Sequence, residues 1–150
     1  RRGNNMDRAL NYLALARKAG LLELGEEPVG AAARANHARL VVVASDASDH
    51  SWRRALSYVD HTGQQCLRLP YTKVELGMAI GRQELAMGAF TEPGLALKFV
   101  EALGQNEKYQ AVIEDLQNRT ARVLKHQKEQ KAHQRNVRMG KTRRNGSKQK

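Results

Sequence analysis

The hydrophobic positions of this chain switch repeatedly between helical spacing and short apolar runs, the pattern of alternating helices and strands. Residues 6–19 read as a helix in which Leu10, Leu13 and Arg17 follow helical spacing. Asn5 offers an N-cap, Asp7 suits the first turn and Gly20 is a C-terminal stop. Leu21 to Leu24 is a candidate short strand. Residues 26–36 predict a second helix, because Glu26, Glu27 and Pro28 are all favoured in a first turn. The β-branched run Arg39-Leu40-Val41-Val42-Val43-Ala44 predicts a strand buried on both faces. Ser48 to His61 follows as a helix with Ser48 as its cap.

Cys66 to Leu69 reads as another short strand, ended by Pro70. Thr72-x-x-Glu75 is a capping box that opens a short helix ending at Gly81. Leu85 to Phe90 is a further strand candidate, and Pro93 opens a helix through Leu103 that Gly104 closes. Gly77 and Gly81 are open between a structural role, in tight packing and a C-cap, and a functional one, and Asp46 between a binding role and capping the next helix. This alternation implies an α/β fold with a sheet covered by helices on both faces. Residues 108 to about 137 lack Gly and Pro and predict a helix, with Tyr109, Val112, Leu116, Val123 and Leu124 along one stripe. Beyond Leu124 the apolar side runs out and fraying is expected. The expected organisation is a domain over residues 6–104, a basic helix over 107–138 and a disordered basic tail over 139–150.

Charge sharpens this division. The 150 residues carry a formal net charge of +11. Residues 1–106 hold 13 basic and 11 acidic residues, whereas 107–150 hold 13 basic and 4 acidic ones. So basic a segment points to a polyanionic partner. Aromatic residues make up only 5%, which argues against recognition through many exposed stacking rings. Cys66 is the single cysteine, so a disulfide framework is excluded and a reducing cytoplasm is expected. No apolar run approaches the roughly 18–20 residues of a membrane span, and no secretory signal is expected. The histidines show no metal-ligand spacing with Cys66, and neither a nucleophile–base pattern nor a phosphate loop is present. No metal, cofactor or catalytic residue is therefore expected.

Several strings, in order, carry a resemblance. Asn11-Tyr12-Leu13-Ala14-Leu15-Ala16-Arg17-Lys18-Ala19-Gly20, Leu24-Gly25-Glu26-Glu27, Arg39 to Asp46, and Thr72-Lys73-x-Glu75-Leu76-Gly77-x-Ala79-Ile80-Gly81-Arg82 resemble the large-subunit ribosomal protein 7Ae/30e family, in particular its bacterial YlxQ-like branch. The resemblance covers roughly residues 6–103. It implies a three-layer α-β-α sandwich with a mixed four-stranded sheet, and binding to RNA with a sharp internal bend, the kink-turn. It places the RNA site at Gly25, Glu26 and Glu27, with Asp46 in the acidic turn and Arg82, Gln83 and Glu84 closing from the other side. Many members carry Asn-Glu or Lys-Gln where this chain has Glu27 and Pro28, and lysine where it has Ala31. Lys18, Arg34, Arg39 and Arg82 are the cations that would compensate.

For the basic segment, the electrostatic argument adds Arg119, Arg122, Lys125, Lys128, Lys131, Arg135, Arg138, Lys141, Arg143 and Arg144 as RNA contacts. The expected protein is a non-catalytic monomer that binds structured RNA, kink-turn or ribosomal, and associates with the ribosome. Two other readings stand beside it: a module whose arm docks on an acidic protein or membrane surface, and the substrate-binding part of an RNA-modifying enzyme.

Overall fold

A computed structural model describes the backbone of residues 4–148 and the side chains of residues 8–135. In chain order the elements are α1 (Asn4–Lys18), β1 (Leu22–Leu24), α2 (Glu26–Arg34), β2 (Leu40–Val43), α3 (Asp49–Val59), β3 (Gln65–Arg68), α4 (Lys73–Ala79), β4 (Met87–Phe90), α5 (Pro93–Ala102) and α6 (Gln110–Lys148).

The sheet runs β1-β4-β2-β3. β2 and β3 are parallel, while β4 is antiparallel to both β1 and β2, so the sheet is mixed. Helix α1 packs against both α5 and α4 on one side, and α2 packs with α3 on the other. This is the three-layer sandwich that the resemblance implies. β2 occupies an interior position between β4 and β3, and its Leu-Val-Val-Val run is fully buried. An unalternated β-branched run is what a strand covered on both faces requires. Around it gather Leu13, Val29, Leu76, Phe90 and Phe99, all without exposed surface.

Local capping follows the sequence closely. Ser48 caps α3, its hydroxyl accepting from the Ser51 amide at 3.1 Å. Thr72 and Glu75 form the reciprocal capping box of α4. Asn5 differs: α1 already includes Asn4, so Asn5 lies inside the helix and not at its cap. One or two residues of slack at a helix end is ordinary.

The larger difference is at the far side of the domain. Tyr109, Val112, Ile113 and Leu116 are buried in the hydrophobic core, and the compact unit runs to Gln117, beyond the break expected near residue 106. The charge count locates where electrostatics change, but packing follows the apolar stripe, and that stripe begins inside the basic segment. Val123 and Leu124, expected on the same stripe, are exposed. Residues 118–150 form a separate unit. Its helix continues past Gly140 to Lys148, where composition predicts a disordered tail. No proline interrupts this stretch, and a glycine in a helix costs only about 1 kcal/mol against alanine.

Candidate nucleic-acid interface

The strand register defines two ends of the sheet. At one end Leu24 pairs with Gly88 and Val43 with Met87; at the other both Leu22 and Leu40 face Phe90. The first end collects the start of α2, the Ser45–Ser48 turn after β2, the end of β3 at Arg68, and the loop from Gly81 to Ala86 that feeds β4.

At the start of α2, Gly25 adopts φ 96° and ψ 162°, a conformation open essentially to glycine alone. Its amide donates to the Met87 carbonyl at 2.9 Å, which locks the turn to β4. Among the described residues no side chain caps α2. Pro28 has no N–H, and the Val29 amide donates to the Gly25 carbonyl at 3.0 Å. The amides of Glu26 and Glu27 are the remaining donors of the first turn, and they sit at the positive end of the helix dipole. The two acids behave differently. Glu27 is exposed. Glu26 turns toward α3, accepting from the Ser51 hydroxyl at 2.9 Å and pairing with Arg54 at 3.5 Å. Its carboxylate is therefore a tie between α2 and α3.

Across from this turn, the Arg82–Glu84 loop folds back on α4. The Arg82 amide donates to the Gly77 carbonyl at 2.8 Å, and the Leu85 amide to the Lys73 carbonyl at 2.9 Å. Gly77 is buried where a Cβ would lie 2.6 Å from the Glu84 nitrogen and 2.8 Å from the Gln83 carbonyl carbon, so it serves tight packing. Gly81 instead takes the left-handed conformation after the helix end, at φ 78°. Arg82, Gln83 and Glu84 are all exposed.

Asp46 does not cap α3. Its carboxylate accepts from the Lys73 amide at 2.8 Å and holds the turn after β2 against the first residue of α4. Arg68 lies alongside: its guanidinium donates to the carbonyls of Ala47 at 3.0 Å and Ser45 at 3.3 Å and stands 5.5 Å from the Trp52 ring centroid. A cation so held is pre-oriented.

The predicted residues therefore divide. Gly25, Glu26, Glu27, Asp46, Arg82, Gln83 and Glu84 share one end of the sheet. Lys18 at the end of α1, Arg34 in the last turn of α2, and Arg39 ahead of β2 belong to the other end. Arg39 donates to the Asn36 carbonyl at 3.0 Å. A ligand reaching both groups must span α2, about 13 Å for nine residues. Of the four compensating cations, only Arg82 stands at the Gly25 end. Sequence reasoning missed Ser51, Arg54 and Arg68 there. For Arg68 a signal exists, since a parallel β2–β3 pair joined by α3 brings the ends of both strands together.

In the second unit, Arg122, Lys125, Lys128, Lys131 and Arg135 are exposed and Arg119 is half-exposed. Arg138, Lys141, Arg143 and Arg144 lie outside the residues whose side chains are described. Among the described residues, no group of three or more His, Cys, Asp or Glu side chains could hold a metal ion, and no helix is long and apolar enough to cross a membrane.

No protein-family model matches the chain. It is 30% identical over 99 residues to the RNA-binding protein YlxQ of Enterococcus faecium, a match spanning 66% of this chain and 94% of that protein. Among solved structures it is similar to a protein of unknown function from Bacillus halodurans, at 27% identity and a TM-score of 0.60, covering 65% of this chain and 97% of the other. It also shares the fold of a Giardia lamblia 15.5 kD RNA-binding protein, with a TM-score of 0.55 and 17% identity over 75% of this chain and 92% of that one.

Proposed function

The chain belongs to the YlxQ-type branch of the ribosomal protein 7Ae/30e family, and on that premise we propose that it is a non-catalytic RNA-binding protein that grips a sharply bent, kink-turn-like RNA. The observation that carries this reading is the uncapped start of α2. Two backbone amides at a helix N-terminus form a ready anion site. Gly25 keeps that turn free of any side chain, and the Arg82–Glu84 loop stands at the same end of the sheet. A phosphate at the bend docks on the Glu26 and Glu27 amides, and the loop covers the bases that the bend extrudes. Recognition is by shape, as is usual for structured RNA. Arg68 and Arg82 supply cations at that end, and Arg54 draws the Glu26 carboxylate toward α3. The basic arm adds affinity that does not depend on sequence. The protein works as a cytoplasmic monomer on ribosomal or other structured RNA.

The test titrates the full chain, at fixed salt, against an internal-loop RNA that bends and a straight duplex of equal length. The bent RNA should be preferred. Glu27→Lys should tighten binding to both and blur the preference, since phosphate attraction carries no sequence information. Equal affinity for the two RNAs in the wild-type chain would refute the reading.

A further inference from the structure

From Asn118 onward α6 forms its own unit, and its cations follow a rule. Arg119, Arg122, Lys125, Lys128 and Lys131 recur every third residue, and Arg135 follows four residues later. An α-helix turns about 100° per residue, so each three-residue step falls about 60° short of a full turn. The cations thus form a left-handed stripe winding around the right-handed helix. Arg119 and Lys125 lie within about 60° of Arg122 around the axis, whereas Lys128, Lys131 and Arg135 lie about 180–240° from it. The first three and the last three point to opposite sides. Glu129 is the single acid between Asn118 and Arg135, and after Leu124 the only apolar residue up to Arg135 is Ala132. From Lys125 to Arg135 the helix is thus polar on all sides and has no apolar face to bury, while Arg119 at its start is half-exposed.

The winding separates two kinds of anionic partner. A helix with its side chains is about 10–12 Å across. On a flat anionic surface, one set of three cations would face away, beyond a Debye length of about 8 Å at physiological salt. A groove with phosphates on both walls meets both sets at once. We infer that the arm is built to enter the groove of a helical RNA stem and not to lie along a flat acidic face. The undistorted major groove of A-form RNA is deep and narrow, so the receptive stem is one whose groove a bulge or internal loop has opened. The inference rests on the RNA-binding reading above and specifies the part of the RNA that the arm takes.

The experiment uses the full chain, an RNA hairpin carrying an internal bulge, and two triple variants, R119Q/R122Q/K125Q and K128Q/K131Q/R135Q. Glutamine has nearly the helix propensity of lysine and arginine, so the helix is retained. Affinity is measured across a salt series. Each neutralised phosphate contributes about 0.7–0.9 to the slope of log K against log salt, so each triple should lower that slope by about 2. Equal drops for both triples support a groove. A drop confined to one triple, the signature of a flat surface, overturns the inference, as does no drop in either. If the wild-type chain does not bind the hairpin at all, the RNA-binding reading itself has failed. If binding persists but responds on one side only, the groove alone has failed.

Discussion

Replacing Gly77 by alanine tests whether the Arg82–Glu84 loop is held in place by α4. The added Cβ would lie 2.6 Å from the Glu84 nitrogen and 2.8 Å from the Gln83 carbonyl carbon. Both obstacles are backbone, so no side-chain rotation relieves the clash and the loop itself must move. Overpacking of this kind costs about 1–3 kcal/mol, and a backbone obstacle on two residues puts it near the upper value. The same substitution gains about 1 kcal/mol of helix propensity. The net loss is about 2 kcal/mol, which lowers the melting temperature by about 8 °C for a domain of this size. Circular dichroism melting reads that term. Titration against bent and straight RNA reads the second consequence: a displaced loop should lose much of the preference while the arm's general affinity persists. Gly81→Ala is the control. Nothing stands within 4 Å of its Cβ, so only the left-handed backbone is strained, at about 1–2 kcal/mol. If Gly77→Ala melts at or above the wild-type temperature and keeps the preference for bent RNA, the loop is not positioned by this contact.

Three further outcomes are expected. A chain ending at Gln117 should melt cooperatively, whereas one ending at Asn106 should be unfolded. The shorter chain loses Tyr109, Val112, Ile113 and Leu116, each worth about 2–4 kcal/mol against a total stability of about 5–15 kcal/mol; a folded 106-residue fragment would sink this reasoning. Gly25→Val should destabilise by about 1–3 kcal/mol through its backbone angles and remove the preference for bent RNA, measured by the same melting and titration. The Cys66 thiol is pushed up by burial to about 12, so it should resist alkylation near pH 8 until the chain unfolds. Because the unfolded thiol ionises near 9.0, its contribution to stability is fully present below that pH and is lost as pH rises toward 12. Cys66→Ala should flatten that alkaline decline, and an unchanged decline would exclude the thiol as its cause.

How much of this was legible beforehand depends on the range over which each feature acts. β2 and the two N-caps are visible in the sequence, because a buried strand needs an unbroken β-branched run and a cap needs Ser or Thr within three residues of its amide. The turn at Gly25 is visible only through the family resemblance, since a lone glycine between a strand and a helix fits many turns. Long-range ties are not: Glu26 meets Arg54 across 28 residues, and no local pattern distinguishes that carboxylate from one that merely complements a helix dipole. Lys18, Arg34 and Arg39 share their charge with Arg82, but the register places them at the opposite end of the sheet. The compact unit ends at Gln117 and not near residue 106, because a charge count does not register apolar packing.

The division of charge between the two units bears on how the proposed selectivity for bent RNA would be kept. Phosphate attraction is indifferent to sequence, and a domain covered with cations would bind every RNA it met. Here residues 1–106 carry only two more basic than acidic residues, while residues 107–150 carry nine more. The end of the sheet holding Gly25 mixes signs, with Glu27, Asp46 and Glu84 beside Arg54, Arg68 and Arg82. An exposed acid such as Glu27 repels a phosphate that arrives out of register, an obstacle to the wrong partner as much as a cost to the right one. Glu26, on the same helix turn, would repel every phosphate alike if its carboxylate were unengaged; the Ser51 hydroxyl and Arg54 draw it toward α3. Arg54→Ala should therefore weaken binding to the bent RNA, and Glu26→Gln should restore most of the loss, because a neutral amide no longer opposes phosphate. Titrating the two single variants and the double variant at fixed salt separates this from direct contact. If Arg54 itself touched phosphate, the double variant would bind as weakly as Arg54→Ala alone.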